Sequence, residues 1–174
     1  MANNIVLIGM PGSGKTHICS KLAEVLTEYT AIDTDSLIEK ISGMKISEIF
    51  EKYSEDYFRK LEYDTIKQAA NGKNKILSIG GGAFENPDTR STLLNFGIVF
   101  YLKSNLDVLY YRISKESTRP LLQCENPRQA LENLLKKREE NYQKANYIID
   151  TENLTEDKIT EYILGIINET NASC

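Results

Sequence analysis

Strand-length apolar runs that alternate with helix-length periodic segments predict an α/β domain built on a parallel sheet. Two further observations support that class. The first run, Asn4-Ile5-Val6-Leu7-Ile8, is apolar without alternation, as expected of a strand covered on both faces. The unusual residues also cluster just past strand ends: a glycine loop after Ile8, an acidic pair at Asp33 and Asp35, three glycines at Gly80-Gly81-Gly82, and Asp150. Ligands of open α/β sheets gather at the carboxyl ends of strands.

The elements follow in order. After the first strand, Ile18, Leu22, Val25 and Leu26 fall at helical spacing and predict a helix over residues 15–26. Thr30-Ala31-Ile32 is a second short strand, ending in Asp33-Thr34-Asp35. Residues 37–70 are polar and helix-rich, with breaks near Ser42-Gly43 and near Ser54. Lys75-Ile76-Leu77-Ser78-Ile79 is the third strand and Ile98-Val99-Phe100-Tyr101-Leu102 the fourth. Asn86-Pro87 and Asn126-Pro127 each pair a capping side chain with proline at the first helical position, so each starts a helix. The second of these runs to about residue 145, and another helix covers residues 106–115. Tyr147-Ile148-Ile149-Asp150 is the fifth strand, and a last helix covers residues 155–168. Residues 117–125 lack periodicity and read as a flexible loop.

The 174 residues suit a single domain, and 41% hydrophobic residues supply one core. A net charge of -4 disfavours general binding to nucleic acid or anionic membrane, so an anionic ligand needs a local basic cluster. Cys19, Cys124 and Cys174 form no Cys-x-x-Cys pair, which argues against a disulfide framework or zinc site and for a reducing compartment. There is no basic leader and no run of about 20 apolar residues, so the expectation is a cytoplasmic chain that does not engage a membrane.

Gly9-Met10-Pro11-Gly12-Ser13-Gly14-Lys15-Thr16 matches G-x-x-x-x-G-K-[ST] between a predicted strand and a predicted helix, the context that gives the motif its meaning. Glycines let the backbone curl so that N–H groups, those of Gly12, Ser13 and Gly14 among them, converge on phosphate oxygens. The helix N-terminus adds partial positive charge, and the His17 N–H lies in its first turn. Lys15 is expected to reach the β- and γ-phosphates and the Thr16 hydroxyl to ligate Mg²⁺. The His17 side chain is expected on the helix surface. A GTPase switch needs Asn-Lys-x-Asp, whereas Asn74-Lys75 is followed by Ile76 and Leu77. The chain is too short for a motor ATPase and suits a small kinase.

Other residues complete the pattern. Alternate residues of an extended segment point to opposite sides, so one of Asp33 and Asp35 can face the Mg²⁺ and phosphates and the other an acceptor; the alternative is a helix N-cap with a spare acidic neighbour. Arg59 and Glu62 share a helical face. Gly80, Gly81 and Gly82 expose backbone N–H groups to a ligand. Arg119-Pro120-Leu121-Leu122 lies in the irregular loop, and Arg138, with Tyr142 and Ala145 downstream, lies on the next helix. The ordered set of P-loop, D-T-D, F-R-x-x-E, G-G-G-A, R-P-L-L and R-x-x-x-Y-x-x-A closely resembles the shikimate kinase family, from Ile5 to about Asp150.

That resemblance implies a P-loop α/β/α fold of three layers, with a five-stranded sheet in the order 2-3-1-4-5. It implies substrate-binding helices over about residues 34–62 and a mobile lid over about residues 114–126. It further implies transfer of the ATP γ-phosphoryl group to the 3-hydroxyl of shikimate, with Mg²⁺, on the route to the aromatic amino acids. By motif, Asp35 resembles the hydroxyl-binding aspartate, Asp33 the acid near the metal, and Arg59 and Arg138 the pair on the substrate carboxylate. Gly81 resembles a substrate-contacting backbone position. Arg119 resembles a lid arginine over the phosphates, and Arg112 an arginine stacked on the adenine. Either Asp33 or Asp35 can be the proton acceptor at this level. The family commonly has a small residue where His17 stands, a position that contributes backbone only. The rival readings are a related kinase for gluconate or a nucleoside monophosphate, and a catalytically silent nucleotide-binding regulator. The chain is expected to act as a monomer.

Overall fold

The computed structural model describes residues 4–115 and 125–172. Its five parallel strands are β1 (Asn4–Ile8), β2 (Thr30–Asp33), β3 (Lys75–Ser78), β4 (Gly97–Lys103) and β5 (Tyr147–Asp150), in the order β2-β3-β1-β4-β5. Among the described residues the eight helices are α1 (Lys15–Val25), α2 (Thr34–Ser42), α3 (Ile46–Lys52), α4 (Glu55–Ala69), α5 (Pro87–Phe96), α6 (Leu106–Ser114), α7 (Pro127–Tyr142) and α8 (Glu156–Ala172), with a 3-10 turn at Ala83–Glu85. Fold class and strand order agree with expectation.

The period of two along β1 explains the layers. Ile5 and Leu7 face one way and pack with Ile18 and Leu22 of α1 and Ile159, Ile163 and Ile167 of α8. Val6 and Ile8 face the other way and pack with Ile66 of α4, Leu93 of α5, Leu109 of α6 and Leu131 and Tyr142 of α7. Both faces are dry, so β1 is apolar throughout. Ile38, Ile49 and Phe58 form a small separate core that joins α2, α3 and α4.

The capping signals hold: Asn86 and Asn126 cap α5 and α7 ahead of Pro87 and Pro127. Gly43, at φ 67°, ends α2 where the Ser42-Gly43 break was expected. One expectation is corrected. Asp33-Thr34-Asp35 is not an extended segment, because α2 begins at Thr34 and Asp35 lies in its first turn. The Asp33 side chain is responsible: its Oδ1 accepts the Ser36 N–H at 3.0 Å and nucleates the helix there. Among the described residues no helix is long and apolar enough to cross a membrane.

Candidate active site

The glycine loop turns sharply between β1 and α1. Gly12 (φ 80°) and Gly14 (φ 92°) both take the left-handed conformation that a side chain disfavours. The Ser13 N–H donates to the Met10 carbonyl at 3.1 Å and closes the turn. No side chain caps α1, whereas α2, α4, α5, α6 and α7 start on capping side chains of Asp33, Ser54, Asn86, Asn105 and Asn126. The positive end of the α1 dipole is thus left to an anion. Lys15 is buried, and its Nζ donates to the carbonyls of Gly9 and Met10 at 2.9 Å each, so the ammonium folds over the loop. The Ser13 hydroxyl is buried against Gly9 and finds no hydrogen-bond partner among the described residues. The His17 side chain is exposed, as expected.

A cavity of about 610 Å³ opens over this loop and is also lined by Asp33, Asp35, Ser78, Gly81 and Arg112. Arg112 reaches it from α6 and donates from Nη1 to the Gly12 carbonyl at 3.1 Å. Asp33 is tied to both sides of it. Its Oδ2 accepts from the Thr16 hydroxyl and from the Ser78 hydroxyl, both at 2.9 Å. Ser78 was not singled out from the sequence, although it is the polar residue ending the apolar core of β3 and it stands in register with Asp33.

The oxygens of Thr16 and Asp33 suit a small hard cation that takes its remaining ligands from phosphate and water. Among the described residues no cluster of three or more His, Cys, Asp or Glu side chains forms a closed protein cage. The Thr16 and Asp33 oxygens are a donor set that a cation such as Mg²⁺ would fit.

Beside the cavity the three glycines admit charged side chains at close range. A Cβ on Gly80 would collide with the Asp35 carboxylate and lie 3.1 Å from Glu62 Oε1. A Cβ on Gly82 would lie 2.7 Å from Arg59 Nη1, 2.8 Å from Arg59 Nη2 and 3.0 Å from Arg138 Nη2. The guanidinium groups of α4 and α7 thus converge over one glycine, which two separate helices could not achieve if a side chain intervened. Gly81 joins the two halves of the site: its Cβ would lie 2.9 Å from Pro11 of the glycine loop and 3.2 Å from Arg138 Nη1. The Tyr142 hydroxyl donates to the Gly81 carbonyl and fixes the triple-glycine turn to α7.

Carboxylates pair with both arginines, and Arg59 has a second one, Glu55, at 3.3 Å from its Nη2. Arg59 Nη1 donates to Glu62 Oε2 at 2.7 Å, and Arg138 Nε to Glu85 Oε1 at 2.8 Å. Glu62 is only 3% exposed, and this burial raises its carboxyl to about 7 despite the opposing pull of Arg59. The folded state then keeps a proton between about pH 4.5 and pH 7 that the unfolded chain has released. Stability falls as pH rises through that window. Glu62→Gln lacks this titration, so the melting temperature of the variant should gain on wild type from about pH 4.5 to pH 7, with no further gain above. Thermal melts across that range check it, and a difference independent of pH would contradict it.

The structure therefore brings together Gly12, Ser13, Gly14, Lys15, Thr16, Asp33, Asp35, Arg59, Gly80, Gly81, Gly82, Arg112 and Arg138. Arg119, with the middle of the expected lid, lies outside the described residues.

A family model described as shikimate kinase matches residues 11–168. A shikimate kinase of Caldanaerobacter subterraneus subsp. tengcongensis is 41% identical over 161 residues, which is 92% of this chain and 94% of that protein. One of Clostridium botulinum is 44% identical over 159 residues, covering 90% of this chain and 92% of the relative. Among solved structures, the shikimate kinase of Acinetobacter baumannii in complex with shikimate superposes with a TM-score of 0.92 at 36% identity, over 98% of this chain and 95% of the other. With a family model matched over most of the chain and relatives of this identity aligned nearly end to end, the chain belongs to the shikimate kinase family.

Proposed function

We propose that this site transfers the γ-phosphoryl group of ATP to the 3-hydroxyl of shikimate, yielding shikimate 3-phosphate and ADP. The observation that carries the reading is the convergence of Arg59 and Arg138 over Gly82, beside Asp35 and next to a phosphate-binding loop. Two planar forks suit a carboxylate, and an aspartate next to them suits a ring hydroxyl. The relatives' names and the shikimate-bound neighbour support this choice of acceptor over gluconate or a nucleotide.

The glycine loop and the α1 N-terminus hold the triphosphate, and Lys15 swings from its loop carbonyls onto the β- and γ-oxygens. Thr16 and Asp33 would hold Mg²⁺, which when bound would neutralise phosphate charge. Arg112 packs on the adenine. Asp35 orients the attacking hydroxyl, while Arg59, Arg138 and Gly81 fix the substrate ring. Arg119 closes over the phosphates from the lid, and with the segment over residues 34–62 excludes water. Phosphoryl transfer needs positioning and charge neutralisation more than covalent help, and these side chains supply both. The groups named all come from one chain, so a monomer suffices. A reducing cytoplasmic compartment is in keeping with Cys19, a free thiol that burial pushes up to about 11 and so leaves unreactive.

Calorimetric titration of shikimate and of its methyl ester tests the reading. Wild type should bind the acid far better than the ester. Arg59→Ala or Arg138→Ala should each weaken acid binding by about 2–3 kcal/mol, the scale of a charge-assisted pair, and leave ATP binding unchanged. Equal affinity of wild type for acid and ester would contradict it.

A further inference from the structure

We propose that Glu85 is a positioning residue for substrate recognition: it grips the Nε edge of Arg138 and thereby presents the Nη1/Nη2 edge to the acceptor's carboxylate. The inference rests on the reading of Arg138 given above. Nothing in the spacing of the sequence marks Glu85, which follows the triple glycine and closes the short 3-10 turn.

The guanidinium is planar, so fixing one edge fixes the direction of the other. Arg138 Nε donates to Glu85 Oε1 at 2.8 Å, with the arginine side chain 9% and the glutamate side chain 21% exposed. This is not one of the solvated surface pairs that contribute little. The opposite edge is the one that meets the glycines: Nη1 faces Gly81 and Nη2 faces Gly82, where Arg59 also arrives.

Glu85 is itself held. Arg90 donates from Nη1 to the carbonyls of Phe84 and Glu85 at 3.0 and 3.3 Å and to Asn141 Oδ1 at 3.1 Å, which ties the 3-10 turn to α5 and α7. One turn along α7 from Arg138, Tyr142 donates to the Gly81 carbonyl. Arg138 is thus clamped against the triple-glycine turn from both sides. Arg59 is held differently, since Glu62 and Glu55 take its Nη1 and Nη2, the end that itself lies over Gly82. The two guanidiniums approach each other over Gly82, and the carboxylates paired with them, Glu85 on Arg138 and Glu62 and Glu55 on Arg59, offset their mutual repulsion.

Two variants separate position from charge. Glu85→Gln keeps an acceptor oxygen at the Nε distance and removes the charge. Glu85→Asp keeps the charge and falls one methylene short. If Glu85 positions Arg138, Glu85→Asp should raise the shikimate KM on the order of tenfold, the scale seen when an orienting partner is lost, with kcat and the ATP KM within about twofold of wild type. Its preference for acid over methyl ester should fall by the same factor, and Glu85→Gln should stay within about threefold of wild type in shikimate KM. Wild-type behaviour of Glu85→Asp, or a Glu85→Gln as weak as Glu85→Asp, overturns the inference when Arg138→Ala still weakens shikimate. A uniform fall in kcat and both KM terms also overturns it, since that marks a merely structural role. An Arg138→Ala variant with wild-type shikimate KM instead overturns the reading of Arg138 itself, and the inference with it.

Discussion

Replacement of Lys15 by alanine is expected to lower kcat at least about 10³-fold, the upper range for removing one charge-stabilising group from a transition state. The ammonium sits at the phosphate loop, buried against the carbonyls of Gly9 and Met10 rather than in the apolar core. The turn itself survives its loss, because the Ser13 N–H to Met10 and Ile18 N–H to Gly14 bonds are main-chain. The melting temperature should therefore stay near that of wild type. A coupled assay for ADP together with a thermal melt checks both points, and a folded variant with near-normal turnover would remove the phosphate-loop role from Lys15.

Asp35→Asn should lower kcat by about 10²–10³-fold, the usual yield of a positioned acid–base group, with little effect on ATP binding. The geometry separates it from Asp33. The Oδ1 of Asp33 caps α2, and its Oδ2 meets the Thr16 and Ser78 hydroxyls. Asp35 instead lies against Gly80 and Glu62, on the acceptor side. The loss in Asp33→Asn should accordingly be relieved in part by raised Mg²⁺, and that in Asp35→Asn should not. Initial rates over a Mg²⁺ series distinguish the two, and rescue of Asp35→Asn by the metal would reverse the assignment.

Much of this was legible in the sequence because it rests on short-range rules. The apolar run of β1, the glycine loop and the two Asn-Pro starts each specify local backbone without help from the rest of the chain. The beginning of α2 was not legible in that way. Asp33-Thr34-Asp35 suits a strand end and a helix cap equally, and the choice depends on Asp33 meeting Thr16 from α1 and Ser78 from β3. Arg59 and Arg138 were legible only as members of an ordered set. Their meeting over Gly82 depends on two helices 79 positions apart in their arginines, a separation no periodicity reports. Glu85 carried no signal, since an acid on a turn is ordinarily solvated and only its distance to Arg138 distinguishes it.

The most direct test of the account offers the purified protein ATP and Mg²⁺ with shikimate, gluconate and AMP together, and identifies the phosphorylated product by ³¹P NMR. The account predicts shikimate 3-phosphate as the product, with ADP formed in equal amount and little ATP consumed when shikimate is left out. Phosphogluconate or net phosphorylation of AMP in place of shikimate 3-phosphate, or ATP consumption at the same rate without shikimate, would contradict it.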